Sequence, residues 1–532
     1  MYFRPAIFLL SSTLIFMAGA GCQKSQTTAL VKPPTPLSPD TIVRVHWPGK
    51  RKLGYEAGAF YLMRLWNLPA SDQLEGQTVR ELASAPARLL PGGTNLPAAS
   101  SDLLLPLCYD LIQEESYLEI RQPTNQPAET VFAIRLKDEG QPGRWQTNLA
   151  AVLEPLTGAR AVVNSFGDGW SLKKNTALNF IELTRVGDWT VIGLSENKNA
   201  LFDEIVNRIQ KDHAPFFSAG TNVWLEGDID SLRLAHFLGK NSSANLPRIS
   251  FSATGDGGNV IEHAQLNFPR TLPIQLQPWN IPVNLVHEPL ISFTAVRGIQ
   301  SWLNHSRIWT DLALGVAPDQ FYFWSLQGSA FQTYLAAPLP DAHQQISRLT
   351  DLLLQKGNPW LAAHGYISFD RAPDGNGVTW GNLPSLRPFI KAAGSGADSW
   401  LFAGLFPDVG AETNPPPPAG MIHDILSRTN LVYYDWEVTG PRVNTVLYLG
   451  QTARQIARCA QMPLNSASLN CLSVLWPRLG SSATIINLSA PNQLAFVRKS
   501  TVGFTALELH FLADWLESPQ FPRGLHSFAP AQ

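Results

Sequence analysis

The sequence predicts an α+β fold of two domains, each combining hairpins with amphipathic helices, and we interpret the two domains as diverged copies of one unit. Three observations support this prediction. A strand, a short polar loop and an amphipathic helix follow one another repeatedly along the chain. Alternating segments are joined through Asp, Gly and Asn turns. A proline-rich stretch separates two such regions.

The helices are predicted from apolar spacing and from capping residues. Leu201, Ile205 and Ile209 recur at the spacing of one helical face. Asp230 is predicted to cap the helix that follows it. Asp341 and the glutamine three residues later have the spacing of a capping box. Each of these helices follows a segment with strand character, as the predicted fold requires.

Hairpins and the proline-rich stretch set the predicted domain limits. Hairpins begin near Ile249 and Gly365, where turn residues separate alternating segments. Several prolines between them exclude the middle of the chain from a sheet interior. The predicted organisation is a signal peptide over 1–21, a flexible tether over 22–41, an N-terminal domain over 42–270, a proline-rich connection over 271–290 and a C-terminal domain over 291–532.

A long-range similarity supports the interpretation as copies. The segments near Tyr109 and near His423 both run from a predicted helix into a strand, and second strands are predicted at Val131 and Asn444. The general order of elements resembles that of exported bacterial proteins built from repeated strand–helix–strand units. That resemblance implies a repeated architecture and no particular activity.

The N-terminus has the order of a secretory signal. Arg4 precedes an apolar segment over 6–18, and small residues follow it up to Cys22. The apolar segment is too short for a permanent membrane span. A cysteine directly after Gly-Ala-Gly resembles the bacterial lipoprotein signal, which implies that the Cys22 thiol is lipidated and begins the mature protein. Gln23 after that cysteine implies export to the outer membrane, facing the periplasm. The alternative is ordinary secretion with an unmodified cysteine.

Composition limits the classes of partner. The formal net charge is −2 and the chain has no Lys/Arg block, so nucleic acid is not expected as a partner. No cofactor or metal is expected, because phosphate-binding loops and clusters of His and Cys at ligand spacing are missing from the sequence. The expected partners are the lipid bilayer, through the N-terminal lipid, and an envelope protein or glycan.

The spacing of the other cysteines and the expected export of the chain predict their states. Cys459 and Cys471 flank a turn-rich segment, and an oxidising compartment favours a disulfide between them. The alternative is a pair of reduced, packed thiols. Cys108 lies in an apolar segment and is predicted to be a buried small hydrophobe.

Asp435 and Glu437 are the only candidates for a catalytic pair. Alternation along a strand places both carboxylates on one face, at a separation that a glycosidase acting with inversion could use. However, neighbours on one strand share an environment, whereas acid–base catalysis needs their pKa values to differ. We therefore interpret them as the solvated face of a half-buried strand. The sixteen tryptophans are scattered, which indicates several small cores rather than a sugar-binding surface.

The C-terminal helix is predicted to be a docking element. Thr505 and Glu508 have capping-box spacing, and His510 and Asp514 lie one turn apart on its polar side, where surface pairing is expected.

Together, the features of the sequence predict a lipid-anchored envelope protein that is non-enzymatic and acts in binding or assembly. The alternative function is an envelope glycan hydrolase that uses Asp435 and Glu437.

Overall fold

The fold combines helices with antiparallel strands, so the predicted α+β class is confirmed. It was obtained as a computed structural model that describes residues 35–90, 93, 96–97, 99–164, 167–173, 180–196, 199–218, 220, 222–240, 244–306, 309, 311–312, 314–381, 386–407, 414–456 and 465–526.

The described residues form twenty strands and fourteen α-helices. The strands are β1 Thr41–Trp47, β2 Ser116–Arg121, β3 Glu129–Arg135, β4 Ala161–Val163, β5 Gly169–Lys173, β6 Phe180–Val186, β7 Trp189–Ser195, β8 Leu225–Asp230, β9 Arg248–Gly255, β10 Val260–Asn267, β11 Leu290–Arg297, β12 Gln320–Leu326, β13 Thr333–Pro338, β14 Phe369–Arg371, β15 Gly377–Trp380, β16 Phe389–Ala393, β17 Trp400–Gly404, β18 Leu431–Val438, β19 Ser481–Ala490 and β20 Gln493–Ser500. The helices are α1 Lys50–Leu53, α2 Phe60–Trp66, α3 Pro69–Leu89, α4 Ser100–Gln113, α5 Gly140–Thr157, α6 Ala200–Asp212, α7 Ser231–Phe237, α8 Gln300–Asn304, α9 Ala342–Leu352, α10 Asn358–Ala363, α11 Ala419–Leu426, α12 Thr439–Ile456, α13 Ala467–Leu475 and α14 Ala506–Leu516.

The strands form one continuous antiparallel sheet. From the centre towards one edge the order is β10, β9, β8, β1, β2, β3, β7, β6, β5, β4. From the centre towards the other edge it is β20, β19, β18, β11, β12, β13, β17, β16, β15, β14. Both halves thus follow one strand order, and they join where β10 pairs with β20, from Val260 opposite Ser500 to Asn267 opposite Gln493.

Helices in the first half lie on both faces of the sheet, because strand alternation gives each face its own apolar residues. Val45 of β1 packs in one core with Trp145 of α5 and Phe237 of α7. On the opposite face, Tyr117 of β2 packs with Ile205 of α6. The helices that follow β1, β3 and β8 therefore cover one face of the sheet, and the helix that follows β7 covers the other.

The second half repeats this arrangement of layers. Leu401 of β17 packs with Ile346 of α9, whereas Phe402, its neighbour in sequence, packs on the other face with Ile425 of α11. Helices α12, α13 and α14 form a further cluster around Leu472, and this cluster also includes residues of α2 from the first half. The helical layers of the two halves are therefore in contact.

Direct bonds also cross between the two halves. The Tyr61 hydroxyl donates to the carbonyl oxygen of Arg478 at 2.9 Å, and the Asn470 amide donates to Gln73 Oε1 at 3.3 Å. Residues 268–289, between β10 and β11, contain no helix or strand. The predicted domain limits remain a prediction, because the halves share one sheet and one helical layer.

Within the described ranges, no helix is long and apolar enough to cross a bilayer.

Two of the local helix predictions are confirmed and one is wrong. The Asp230 side chain accepts from Arg233 N at 3.0 Å and caps α7, as predicted. Leu201, Ile205 and Ile209 are all buried on one face of α6, also as predicted. The capping box at Asp341 is wrong, because this residue has a left-handed backbone (φ 49°) and its side chain makes no capping bond.

The strand predicted at Asn444 is also wrong, because this segment lies inside α12. Its run of Val, Leu and Tyr resembles a strand, yet Pro441 stands in the first turn, where helices tolerate proline. Val443 and Val446, spaced for one helical face, are the buried apolar residues. The actual period is helical.

Candidate functional site

A row of polar side chains crosses five adjacent strands at the junction of the two halves. In register, the row runs through Thr294 of β11, Asp435 of β18, Thr484 of β19, Arg498 of β20 and Glu262 of β10. Because directly opposed residues share one face, all five side chains point to the same side of the sheet. We call this set the junction row.

Asp435 is buried within the junction row, with 8% of its surface exposed. The Thr294 hydroxyl donates to Asp435 Oδ1 at 2.6 Å. Burial raises the pKa of Asp435, and the bond from Thr294 opposes that rise. The interpretation of this carboxylate as part of a solvated face is therefore wrong.

Glu437 lies two residues further along β18 and is also buried, with 4% of its surface exposed. Its Oε1 accepts from the backbone N–H of Ala506, the first residue of α14, at 2.7 Å. A carboxylate at this position satisfies a helix N-terminal N–H group and is favoured by the helix dipole. Burial raises the pKa of Glu437 to about 7, although the Ala506 bond opposes the shift. The solvated-face interpretation is wrong here as well, because α14 covers this part of β18.

Arg498 connects three elements of the site. Its guanidinium donates to Thr484 Oγ1 at 3.0 Å, to Glu262 Oε2 at 3.3 Å, to the Gly503 carbonyl at 3.1 Å and to Glu508 Oε1 at 2.8 Å. Burial raises the pKa of Glu262 to about 8, against the opposing effect of the guanidinium. Strands of both halves and α14 are therefore held by one side chain.

Glu508 completes the site at the start of α14. Its Oε2 accepts from Thr505 N at 2.8 Å, while Thr505 Oγ1 accepts from Glu508 N at 3.3 Å. The predicted capping box is thus confirmed. The other oxygen of Glu508 binds Arg498, so the cap also fixes the helix to the sheet.

The chemistry of this arrangement is that of a structural lock. Asp435 and Glu437 are brought to one face, yet both are buried, and they accept hydrogen bonds from a hydroxyl and from a helix N–H respectively. A polymeric glycan would have to displace α14 to reach Glu437. Among the residues with described placement, no cluster of three or more His, Cys, Asp or Glu side chains is arranged to hold a metal ion.

His510 and Asp514 form a second buried polar group, which the sequence placed on the surface. Both are buried, and Arg454 of α12 donates to Asp514 Oδ1 at 2.9 Å and contacts His510 Nε2 at 3.3 Å. Burial and the neighbouring guanidinium lower the pKa of His510. The surface-pairing prediction is wrong because α12 packs on this side of α14, with Gly450 leaving room for the imidazole.

Sequence reasoning missed a third polar group, in the first half. His46 Nε2 lies 3.0 Å from Glu115 Oε1, and His46 Nδ1 lies 3.6 Å from Glu226 Oε1. Burial lowers the pKa of His46, but the two carboxylates outweigh burial and the net shift is upward. The imidazole also borders a cavity of about 130 Å³, together with Lys52 and Trp224. His46 and Glu226 are opposed in the register of β1 and β8, which only the strand pairing reveals.

The structure describes two of the four cysteines, Cys108 and Cys471. Cys22 and Cys459 lie outside the described residues, so lipidation and the Cys459–Cys471 disulfide stay predictions. Cys471 is buried in α13, with its Sγ 3.7 Å from Ser71 Oγ. Cys108 is half-buried rather than buried as predicted, and desolvation of its thiol raises the pKa to about 12, as in an unreactive thiol.

No protein-family model, no curated protein and no solved structure significantly matches this chain.

Proposed function

We propose that this protein is a lipid-anchored, non-enzymatic component of the bacterial envelope that acts in binding or assembly, and that its body consists of two diverged copies of one α+β unit. The observation that carries the non-enzymatic part is the burial of Asp435 and Glu437 together with their use as structural acceptors. The signal-like N-terminus ending at Cys22 supports the anchor and the outer-membrane location.

Replacing Cys22 with serine is expected to leave an unlipidated precursor and to abolish the mature, membrane-associated form. The reason is that only a thiol at this position accepts the lipid of the lipoprotein signal. Cell fractionation, electrophoretic mobility and labelling with radioactive palmitate measure the outcome. The matched control is Cys108→Ser, which should keep both lipid and location. Unchanged membrane association and mobility of the Cys22→Ser protein would contradict the anchor.

The alternative function, a glycan hydrolase, uses Asp435 and Glu437 as its acid and base. The raised pKa values of Asp435 and Glu437 support this alternative, since general acids need raised pKa values. Turnover of an envelope glycan by the wild-type protein, lost in Asp435→Asn without loss of folding, would overturn the non-enzymatic proposal.

The proposal of two copies is supported by the residues that strand register makes equivalent. Gly49 and Gly298 each follow the first strand of their half and have positive φ angles of 90° and 78°. If these two glycines are equivalent, then Arg44 is equivalent to Phe293. The strand pairing through β2 and β3 in the first half, and through β12 and β13 in the second, then makes Val131 equivalent to Tyr334.

This single starting point leads to further coincidences. From Val131 and Tyr334 the register makes Gly193 of β7 equivalent to Gly404 of β17. Two strands further on, the first residues of β5 and β15 correspond, and both are glycines, at positions 169 and 377. In the other direction, the first residues of α7 and α12, Ser231 and Thr439, correspond. Unrelated halves would not be expected to agree at all of these places.

Gly169→Ala and Gly377→Ala are expected to destabilise the protein to a similar extent, by about 1–3 kcal/mol each. A Cβ at Gly169 would overlap the carbonyl oxygen of Leu183, and one at Gly377 would overlap that of Ile390. Urea unfolding of the full chain provides the measurement. As controls, Gly143→Ala and Gly420→Ala lie in helices with nothing within 4 Å of the added Cβ, and should be neutral or slightly stabilising. Tolerance at only one of the two strand positions would contradict their equivalence.

A further inference from the structure

Three aromatic rings form a cluster on the surface of the second half, around the end of α10. Trp360 has 57% of its surface exposed. Its ring centroid lies 4.4 Å from that of His364, and 6.2 Å from that of Tyr366 at an interplanar angle of 14°. We call these three residues the aromatic shelf. It differs from the scattered, core-forming tryptophans that the sequence indicated.

The shelf is held in place by backbone and neighbouring side-chain bonds, and the His364 imidazole itself bonds to the Trp360 carbonyl at 2.8 Å. The Asn358 amide donates to the Phe369 carbonyl at 2.9 Å, and Phe369 N donates to Asn358 Oδ1 at 2.6 Å, which fastens α10 to β14. The Trp380 indole donates to the Ile367 carbonyl at 2.5 Å. Tyr366 N donates to the Leu361 carbonyl at 2.8 Å. A surface fixed in this way loses little conformational entropy on binding.

The fold itself does not require aromatic residues at these positions. Gly158 and Gly365 end the corresponding helical segments with φ angles of 68° and 70°. Counting from this pair, the first half has Leu153, Thr157 and Ala159 where the second half has the shelf. Leu153 packs against the core, whereas Trp360 is exposed. The shelf is therefore an addition to one copy. Trp360 and His364 are exposed and Tyr366 is half-buried, and an aromatic cluster at the surface marks an interaction site.

The surroundings of the shelf favour an uncharged, polyhydroxylated partner. Between residues 351 and 374 there are three aspartates and two basic residues, so the local net charge is −1 with His364 neutral. Anionic lipid surfaces attract basic segments, which this one is not. An aromatic surface with a polar edge instead matches a sugar ring, which has an apolar C–H face and hydroxyls at its rim. Asp370 and Ser368, both exposed, supply hydrogen-bonding groups beside the rings.

We propose that the aromatic shelf of Trp360, His364 and Tyr366 is a glycan-binding site, which stacks pyranose rings of an envelope polysaccharide. This proposal rests on the proposed function and names the partner class of its binding role. No bond is made or broken at the shelf.

The test uses the full chain carrying Cys22→Ser in every variant, so that no lipid contributes, and measures co-sedimentation with purified peptidoglycan sacculi and with insoluble neutral polysaccharide. Trp360→Ala is expected to weaken glycan binding about 5- to 10-fold and to leave the melting temperature unchanged, because the side chain is exposed. Tyr366→Ala should show a loss in the same direction. The matched control is Trp302→Ala, with 65% of its surface exposed on α8, which should bind as the wild type does.

Two outcomes overturn the proposal. The first is equal glycan binding by the wild type and Trp360→Ala, including no binding by either. The second is an unchanged affinity for glycan together with reduced binding of Trp360→Ala to vesicles of phosphatidylethanolamine and phosphatidylglycerol, which would assign the shelf to the membrane. Neither result depends on Cys22 lipidation or on turnover by Asp435, so failure of the shelf is distinguishable from failure of the proposed function.

Discussion

Arg498→Met is expected to lower the free energy of unfolding by about 3–5 kcal/mol, because it removes the charged donor of several buried acceptors at once. The methionine fills much of the volume of the arginine, so the loss reports on polar bonds rather than on a cavity. Glu262, Thr484 and the Gly503 carbonyl would lose their donor inside the protein. Buried acceptors without a partner retain their full desolvation cost.

Urea unfolding at pH 7, followed by circular dichroism, measures this loss. Arg428→Met is the matched control, because Arg428 pairs with Asp424 one turn away and both side chains are about 40% exposed. Exposed pairs of this kind contribute less than about 1 kcal/mol. Equal stability losses for the two variants would show that the junction row does not hold the halves together.

The stability of the protein is expected to decrease as the pH rises from about 5 to 8. The pKa of Glu262 is raised to about 8 and that of Glu437 to about 7, whereas both are near 4.5 in an unfolded chain. In this window the folded protein retains protons that the unfolded chain has released. Stability from these groups is therefore complete below about pH 4.5 and is lost as the pH passes through the folded values, by about 2–4 kcal/mol for Glu262.

Glu262→Gln isolates this contribution, since the amide has nearly the same shape and does not titrate. Unfolding free energies of wild type and variant are compared at pH 5 and pH 8, and the difference between pH values should shrink by most of the Glu262 contribution. His46 shifts in the same direction and His510 in the opposite one, but both are common to the two proteins. Glu139→Gln, at an exposed carboxyl, should keep the wild-type pH dependence. An unchanged pH dependence in Glu262→Gln would exclude Glu262 as a source.

Features set by neighbouring residues were predictable from the sequence. The caps at Asp230 and Thr505 depend on a side chain and an N–H group three residues away, so spacing alone identifies them. The apolar face of α6 follows from the helical period in the same way. These local signals were enough to predict a mixed α+β fold.

The candidate site was not predictable, because distant segments decide its burial. Alternation in β18 places Asp435 and Glu437 on one face, but it cannot say whether that face meets water or a helix. The helix that covers Glu437 begins at Ala506, 69 residues later. The prediction that His510 lies on the surface is wrong for the same reason, since its polar partner Arg454 comes from another helix.

The proposed equivalence of the two halves differs from the long-range similarity that the sequence indicated. The sequence comparison matched the strand after Tyr109, which is β2, with the strand after His423, which is β18. Under the proposed equivalence β2 corresponds to β12, and β18 corresponds to β8. Short apolar runs do not fix register, whereas glycines at strand starts and after strands keep their backbone role. Gly-Asp-Gly at 167–169 and Gly-Asn-Gly at 375–377 were the available signal.

The pairing of β10 with β20 has a consequence for the order in which the chain folds during synthesis. Val260 and Ser500 are 240 positions apart, so this pairing is the most non-local step in the sheet. All strands of the first half are present once residue 267 has been synthesised, and each of them pairs within that half or with β20. The first half can therefore organise early, but the outer side of β10 stays open as an unpaired edge until the last strand arrives. Exposed edges of this kind invite pairing with other chains. A chaperone that shields β10 during this interval would protect the protein from aggregation.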